Sequence, residues 1–171
     1  MKDVMVDIET LGNNSNSVLV QLAACYFDRA TGEVGDKFQC AIDIEDSFQY
    51  GEVDGSTLKF WFGQKQETIA KVMLGDQKLK NVIKGFKAFS DKADCIWSHA
   101  TFDWVILNNK LRDLFDTNLN YRGARDLRTL FDLADVDVKA IPFHGAQHDS
   151  MDDCLHQVKC AVVAFNKLKG K

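Results

Sequence analysis

From Asp149 onward, Cys154, Val158, Ala161, Phe165 and Leu168 recur at steps of three and four residues. On a helix this spacing gathers them into one apolar stripe, and a one-sided helix must pack that stripe against another layer. The layer lies at the other end of the chain. Val4-Met5-Val6-Asp7-Ile8 reads as a short, mostly buried strand, Val18 to Phe27 as a second and Phe38-Gln39-Cys40-Ala41-Ile42 as a third. Turn-forming runs separate them, Gly12-Asn13-Asn14-Ser15-Asn16-Ser17 and Asp28-Arg29-Ala30-Thr31-Gly32, so the sheet is expected to begin as an antiparallel meander.

The period then changes. Thr57 to Phe62, Thr68 to Leu74 and Leu79 to Phe89 place apolar residues at helical steps. Cys95-Ile96-Trp97 predicts a short buried strand, Phe102 to Phe115 a helix, and Asp126 a cap for another helix through Leu127-Arg128-Thr129-Leu130-Phe131. The closing helix carries a basic tail, Lys167, Lys169 and Lys171, suited to a helix carboxyl end. Three strands, helices, one or two more strands and a final helix make an α/β domain. With 171 residues, no repeat and a single proline, Pro142, one domain spanning 1–171 is the default, burying roughly 70% of the extended chain's surface.

Several function classes are disfavoured. The net charge of -4 argues against a protein that coats nucleic acid through bulk electrostatics. Five cysteines without a C-x-x-C pair suggest reduced thiols in a cytoplasmic compartment rather than a zinc site. No apolar run is long enough for a membrane span, and the start of the chain lacks the apolar run of a secretory signal.

What remains is a set of acids. Residues two apart on a strand project from one face about 6 to 7 Å apart, so Asp7 and Glu9 point together while Val6 and Ile8 point away. Carboxylates buried beside a sheet need a metal or a basic partner, whereas the same pair at a solvated strand terminus needs neither. Asp103 follows Phe102 where a connection leaves the predicted strand Cys95-Ile96-Trp97; it reads either as a cleft residue or as a first-turn Asp favouring the helix dipole. His148 and Asp153 form an H-x(4)-D pair, and so do His144 and Asp149. The pair His148 and Asp153 is preferred, because Asp153 falls on a helix whose packing fixes its direction.

Together, Val6-Asp7-Ile8-Glu9-Thr10-Leu11-Gly12, Thr101-Phe102-Asp103 and His148-Asp149-Ser150-Met151-Asp152-Asp153 resemble the three exonuclease motifs of the DEDD superfamily, histidine subtype, in order and across nearly the whole chain. With Thr57-Leu58-Lys59-Phe60-Trp61-Phe62 between the first two motifs, the pattern is most similar to small phage exonucleases of the A type. In relatives Asn often stands four residues before the second-motif Asp; His99 stands there here. The resemblance implies a ribonuclease H-like fold, with a mixed five-stranded sheet in which the antiparallel meander is followed by parallel strands, flanked by helices. It implies 3'-5' exonucleolytic hydrolysis of single-stranded DNA or RNA, releasing nucleoside monophosphates with two Mg²⁺ or Mn²⁺ ions.

By the same resemblance, Asp7, Glu9 and Asp153 hold the first ion, Asp7 bridges, Asp103 supports the second, and His148 is the general base. Thr10, Leu11, Gly12 and Phe102 would contact substrate, Leu11 as an apolar wedge against the terminal base. Trp61 and Phe62 are each read as either a stacking face or core, with core preferred for Phe62, and Phe60 is read as core. Arg125, flanked by Arg122 and Arg128, is read either as a phosphate contact or as part of a solvated face. Some relatives are homodimers, and the sequence leaves that option open. Two rival readings remain: an oligoribonuclease-like enzyme acting mainly on RNA, and a catalytically silent nucleic-acid-binding domain on the same fold.

Overall fold

The computed structural model describes residues 1–170; Lys171, part of the basic tail, lies outside the described residues. Strand β1 (Asp3–Thr10) runs antiparallel to β2 (Leu19–Phe27), which runs antiparallel to β3 (Val34–Ala41). Helices α1 (Ile44–Ser47), α2 (Gly55–Phe62), α3 (Gln66–Met73) and α4 (Leu79–Ser90) follow, and the chain returns to the sheet as β4 (Cys95–Ser98), parallel to β1. After α5 (Asp103–Phe115) comes β5 (Ala124–Asp126), parallel to β4, then α6 (Leu127–Leu133) and α7 (Ser150–Leu168). The result is a mixed five-stranded sheet of order β3-β2-β1-β4-β5 with helices on its faces, the ribonuclease H-like fold. No described helix is long and apolar enough to cross a membrane.

Strand alternation decides which layer each residue joins. Val4, Val6 and Ile8 face α4 and α5, packing with Ile83, Phe86, Ile106 and Leu107. Met5 faces the other way, against Cys154, Val158 and Ala161 of α7, so the expected stripe of the last helix does close on the sheet. A third, smaller cluster joins Leu11, Val18 and Val20 to Trp61 and Val72 under α2 and α3.

The helix starts follow their caps. Asp126 accepts from the Thr129 amide at 2.8 Å, and Asp149 caps α7 through the Asp152 amide at 3.2 Å. The expected fifth strand had no assigned place, since the three residues that form it, Ala124, Arg125 and Asp126, carry no period of their own. They become a strand only because the edge of β4 offers them backbone partners.

Candidate active site

Strands β1 and β4 run side by side in the same direction, and ligands in such sheets gather beyond the carboxyl ends of parallel strands. The pairing of β1 with β2 shifts register between Glu9 and Thr10, which ends the regular strand at its acidic tip. Asp7 and Glu9 continue the face begun by Met5, towards the amino end of α7. Asp153 sits in the first turn of α7 and Asp103 is the first residue of α5. Two parallel strands and two helix starts thus bring the four acids together.

Ligand atoms of Glu9, His148 and Asp153 all lie within 4.8 Å of one another. The His148 amide donates to Asp153 Oδ2 at 2.8 Å, from a backbone held at φ 65°. That left-handed conformation is uncommon for a residue with a side chain, and it turns the chain from the loop into the helix. Asp103 is 2% exposed and ties the layers together. Its Oδ1 accepts from the Ile8 amide at 3.3 Å and its Oδ2 from the His99 amide at 3.0 Å.

The alternative pair, His144 and Asp149, is not gathered with Glu9 in the structure as His148 and Asp153 are. His144 is exposed, and Asp149, though 1% exposed, spends its oxygens elsewhere. Beyond capping α7, it accepts from Gln39 Nε2 at 3.1 Å and Gln21 Nε2 at 3.4 Å, and it pairs with Lys71 Nζ at 2.9 Å. Gln21 Oε1 in turn accepts from the amide and hydroxyl of Ser150 at 2.9 and 2.8 Å. This network moors the amino end of α7 to β2, β3 and α3, and so aims Asp153. Asp149→Ala is expected to lower unfolding free energy by about 2–3 kcal/mol, the loss of a cap plus hydrogen bonds to a charge, measured by urea denaturation.

Crowding sets the electrostatics. Burial, then the charges of Asp103, Glu9 and Asp153, push Asp7 well above the usual carboxylate range, against the opposing hydrogen bond from Gln157. Burial followed by Asp153 and Asp103 raises Glu9 to about 8, and burial raises Asp103 to about 7 and Asp153 to about 6. Burial lowers His148 below its ordinary value. Burial and Arg128 also lower His99, whose Nδ1 stands 3.8 Å from Asp103 Oδ2.

Among the described residues no Lys or Arg forms an ion pair with any of the four acids. Buried carboxylates without a basic partner are an oxygen donor set that fits hard divalent cations. All four acids have folded-state pKa values above their unfolded ones, so the folded protein holds more protons than the unfolded chain as pH rises from about 4 to 8. Stability in a chelator is therefore expected to fall across that interval, and Mg²⁺ is expected to restore it most at the alkaline end. Melting curves at pH 5 and 8 with and without Mg²⁺ measure this; a pH-independent melt in chelator contradicts it.

Beside the acids opens a cleft of about 320 Å³, lined in part by Glu9, Thr10, Gly12, Phe60, Phe102 and His148. Thr10 Oγ1 donates to the Gly12 carbonyl at 2.7 Å. A Cβ at Gly12 would stand 2.7 Å from Ser17 Oγ and 2.8 Å from the Glu52 carbonyl, so this turn admits no side chain.

Several sequence expectations change here. Phe60 and Phe62, expected in the core, are 41% and 82% exposed, while Trp61 is 4% exposed. Helix α2 turns Trp61 inward, where its indole N–H donates to the Thr10 carbonyl at 2.8 Å, so it braces the turn and forms part of the cleft wall with little exposed surface. Phe60 instead meets the His148 ring edge-on, with centroids 4.8 Å apart. Leu11, expected as a wedge, is 5% exposed and packs in the cluster with Val18, Val20 and Trp61. Arg125 is not brought to the cleft; its guanidinium donates to the carbonyls of Arg122 and Ala124 at 2.9 and 2.8 Å.

The sequence reading missed Gln157, whose Nε2 donates to Asp7 Oδ1 at 2.7 Å. Its position one helical turn after Asp153 was the available signal. Gln21, Gln39 and Lys71 had none, because they meet Asp149 only across the sheet.

Residues 2–165 match the family model described as the 3'-5' exoribonuclease Rv2179c-like domain. No curated protein sequence matches the chain. Among solved structures, E. coli exonuclease I in complex with a dT13 oligonucleotide superposes with a TM-score of 0.67 at 15% identity, covering 98% of this chain and 42% of that one. The zinc ion bound form of the E. coli exonuclease I–ssDNA complex gives 0.68 at 16%, covering 98% and 40%. The apo enzyme gives 0.63 at 15%, covering 94% and 41%. The chain thus spans about two fifths of the exonuclease I chains it matches, and at this identity the likeness is one of fold.

Proposed function

This chain belongs to the Rv2179c-like 3'-5' exoribonuclease domain family; from that premise we propose that it is a 3'-5' exonuclease of the DEDD type, histidine subtype, akin to small phage exonucleases, that releases nucleoside monophosphates from single-stranded ends. The observation that carries the proposal is the convergence of Glu9, His148 and Asp153 within 4.8 Å, beside Asp7 and Asp103.

Asp7, Glu9 and Asp153 would hold one Mg²⁺ or Mn²⁺ and Asp7 with Asp103 a second, and the pair, when bound, supplies Lewis-acid stabilisation of charge on the attacking and leaving oxygens. His148 takes the proton of the attacking water. Burial keeps its ring neutral near pH 7, as a base must be. Its direction is set by the left-handed backbone and by Phe60. As water adds to phosphorus, the P–O3' bond breaks; the departing 3'-oxygen gains a proton from solvent, and the product is a nucleoside 5'-monophosphate. The exposed face of Phe60, with Thr10, Gly12 and Phe102 on the same cleft, gives the terminal nucleotide a place to stack.

The family description names an exoribonuclease, which favours RNA as the principal substrate, while the structural neighbours exonuclease I were solved with single-stranded DNA. The five unpaired cysteines favour a reducing compartment such as the cytoplasm. The test is a digestion panel of 5'-labelled RNA and DNA, single-stranded, overhanging and blunt, with Mg²⁺ or chelator. The labelled strand is expected to shorten stepwise in Mg²⁺ only, fastest on single-stranded RNA. Immediate release of the labelled terminal nucleotide would overturn the polarity, and faster digestion of DNA would overturn the sugar preference.

A further inference from the structure

Gln157 lies on α7 one turn beyond Asp153, and its two amide atoms are treated unequally by the fold. Nε2 donates to Asp7 Oδ1 at 2.7 Å. Oε1 is buried and has no hydrogen-bond partner among the described residues. A buried acceptor left in this state costs desolvation that an apolar side chain of the same length would avoid, so packing alone does not account for glutamine here. Its neighbours on the same face, Cys154, Val158 and Ala161, are apolar and complete the core against β1.

We propose that Gln157 is a positioning residue for the hydrolytic centre: it fixes one oxygen of Asp7 and leaves the other free for the cation. A carboxylate on a strand can rotate about its last bond, and two equivalent oxygens would then compete for the cation. The hydrogen bond to Oδ1 removes that freedom, because the donor comes from a helix already moored through Asp149, Gln21 and Ser150. The orphaned Oε1 leaves a buried acceptor beside Asp7 that the fold itself does not satisfy. Outer partners that orient metal-binding carboxylates act in this way.

The inference rests on the metal-dependent reading above, and its test keeps the two apart. Gln157→Met keeps the length of the side chain and removes both hydrogen-bonding atoms. Its Mg²⁺-induced thermal stabilisation is expected to need about tenfold more Mg²⁺, and its kcat at saturating Mg²⁺ to fall about tenfold with KM within twofold of wild type. If wild type itself shows no Mg²⁺ response, the functional reading fails; if wild type responds and Gln157→Met matches it within twofold in both quantities, the positioning role fails. Gln157→Glu supplies an independent check, since a fifth carboxylate against Asp7 is expected to lower the melting temperature in chelator at pH 8 relative to wild type. An unchanged melt for that variant would show that side chain 157 does not engage Asp7 in solution and would overturn the proposal.

Discussion

Asp7→Asn is expected to reduce kcat on a single-stranded oligonucleotide by at least about a thousandfold, ~4 kcal/mol in the barrier, while leaving the fold intact. Asp7 is 8% exposed at the centre of the acid cluster, and three other carboxylates raise its proton affinity beyond what burial does alone. A neutral amide removes one negative charge from each of those repulsions. The variant is therefore expected to melt above wild type in chelator at pH 8 and to lose much of the stabilisation that Mg²⁺ gives the wild type. The two effects have opposite signs in one protein, which separates them from general damage. Single-turnover kinetics and calorimetry with and without Mg²⁺ measure both; a variant within tenfold of wild-type kcat would remove Asp7 from the chemistry.

The second large effect is expected at His148. The informative variant is His148→Asn, because the backbone there sits at φ 65° and Asn adopts that region more readily than Ala. Loss of a general base lowers the rate by about 10²–10⁴-fold. Burial holds the His148 pKa below its ordinary value, so the neutral, proton-accepting ring persists to a pH below the usual histidine range. Wild-type activity is expected to level off above that point and decline as pH falls through it. His148→Asn is expected to lose this contribution, its residual rate climbing with hydroxide instead, while Mg²⁺ still stabilises it through the acids. Activity within threefold of wild type at neutral pH would exclude His148 as the base.

The ends of the chain carried most of the legible information. The period of three and four after Asp149 and the alternation through Val4, Val6 and Ile8 each record a face that must be buried, and burial is what a sequence pattern encodes. The same alternation placed Asp7 and Glu9 together, and Asp126 announced the helix it caps. Where the reading went astray, the pattern was ambiguous in kind. Phe60, Trp61 and Phe62 are three consecutive aromatics, and a short helix buries only one of three adjacent positions. Which one depends on a rotation that nothing within the segment specifies.

Sequence by itself determined the two packing faces, the identity of the acids and the order in which they occur, because periodicity and residue chemistry are local properties. Only the tertiary structure decided that His148 rather than His144 reaches the acids, that Asp149 serves as mooring, that Trp61 turns inward and that Gln157 grips Asp7. Each of those outcomes depends on contacts between segments far apart in the chain, where a hydrogen bond of 2.7 Å from residue 157 to residue 7 leaves no trace in the spacing of either.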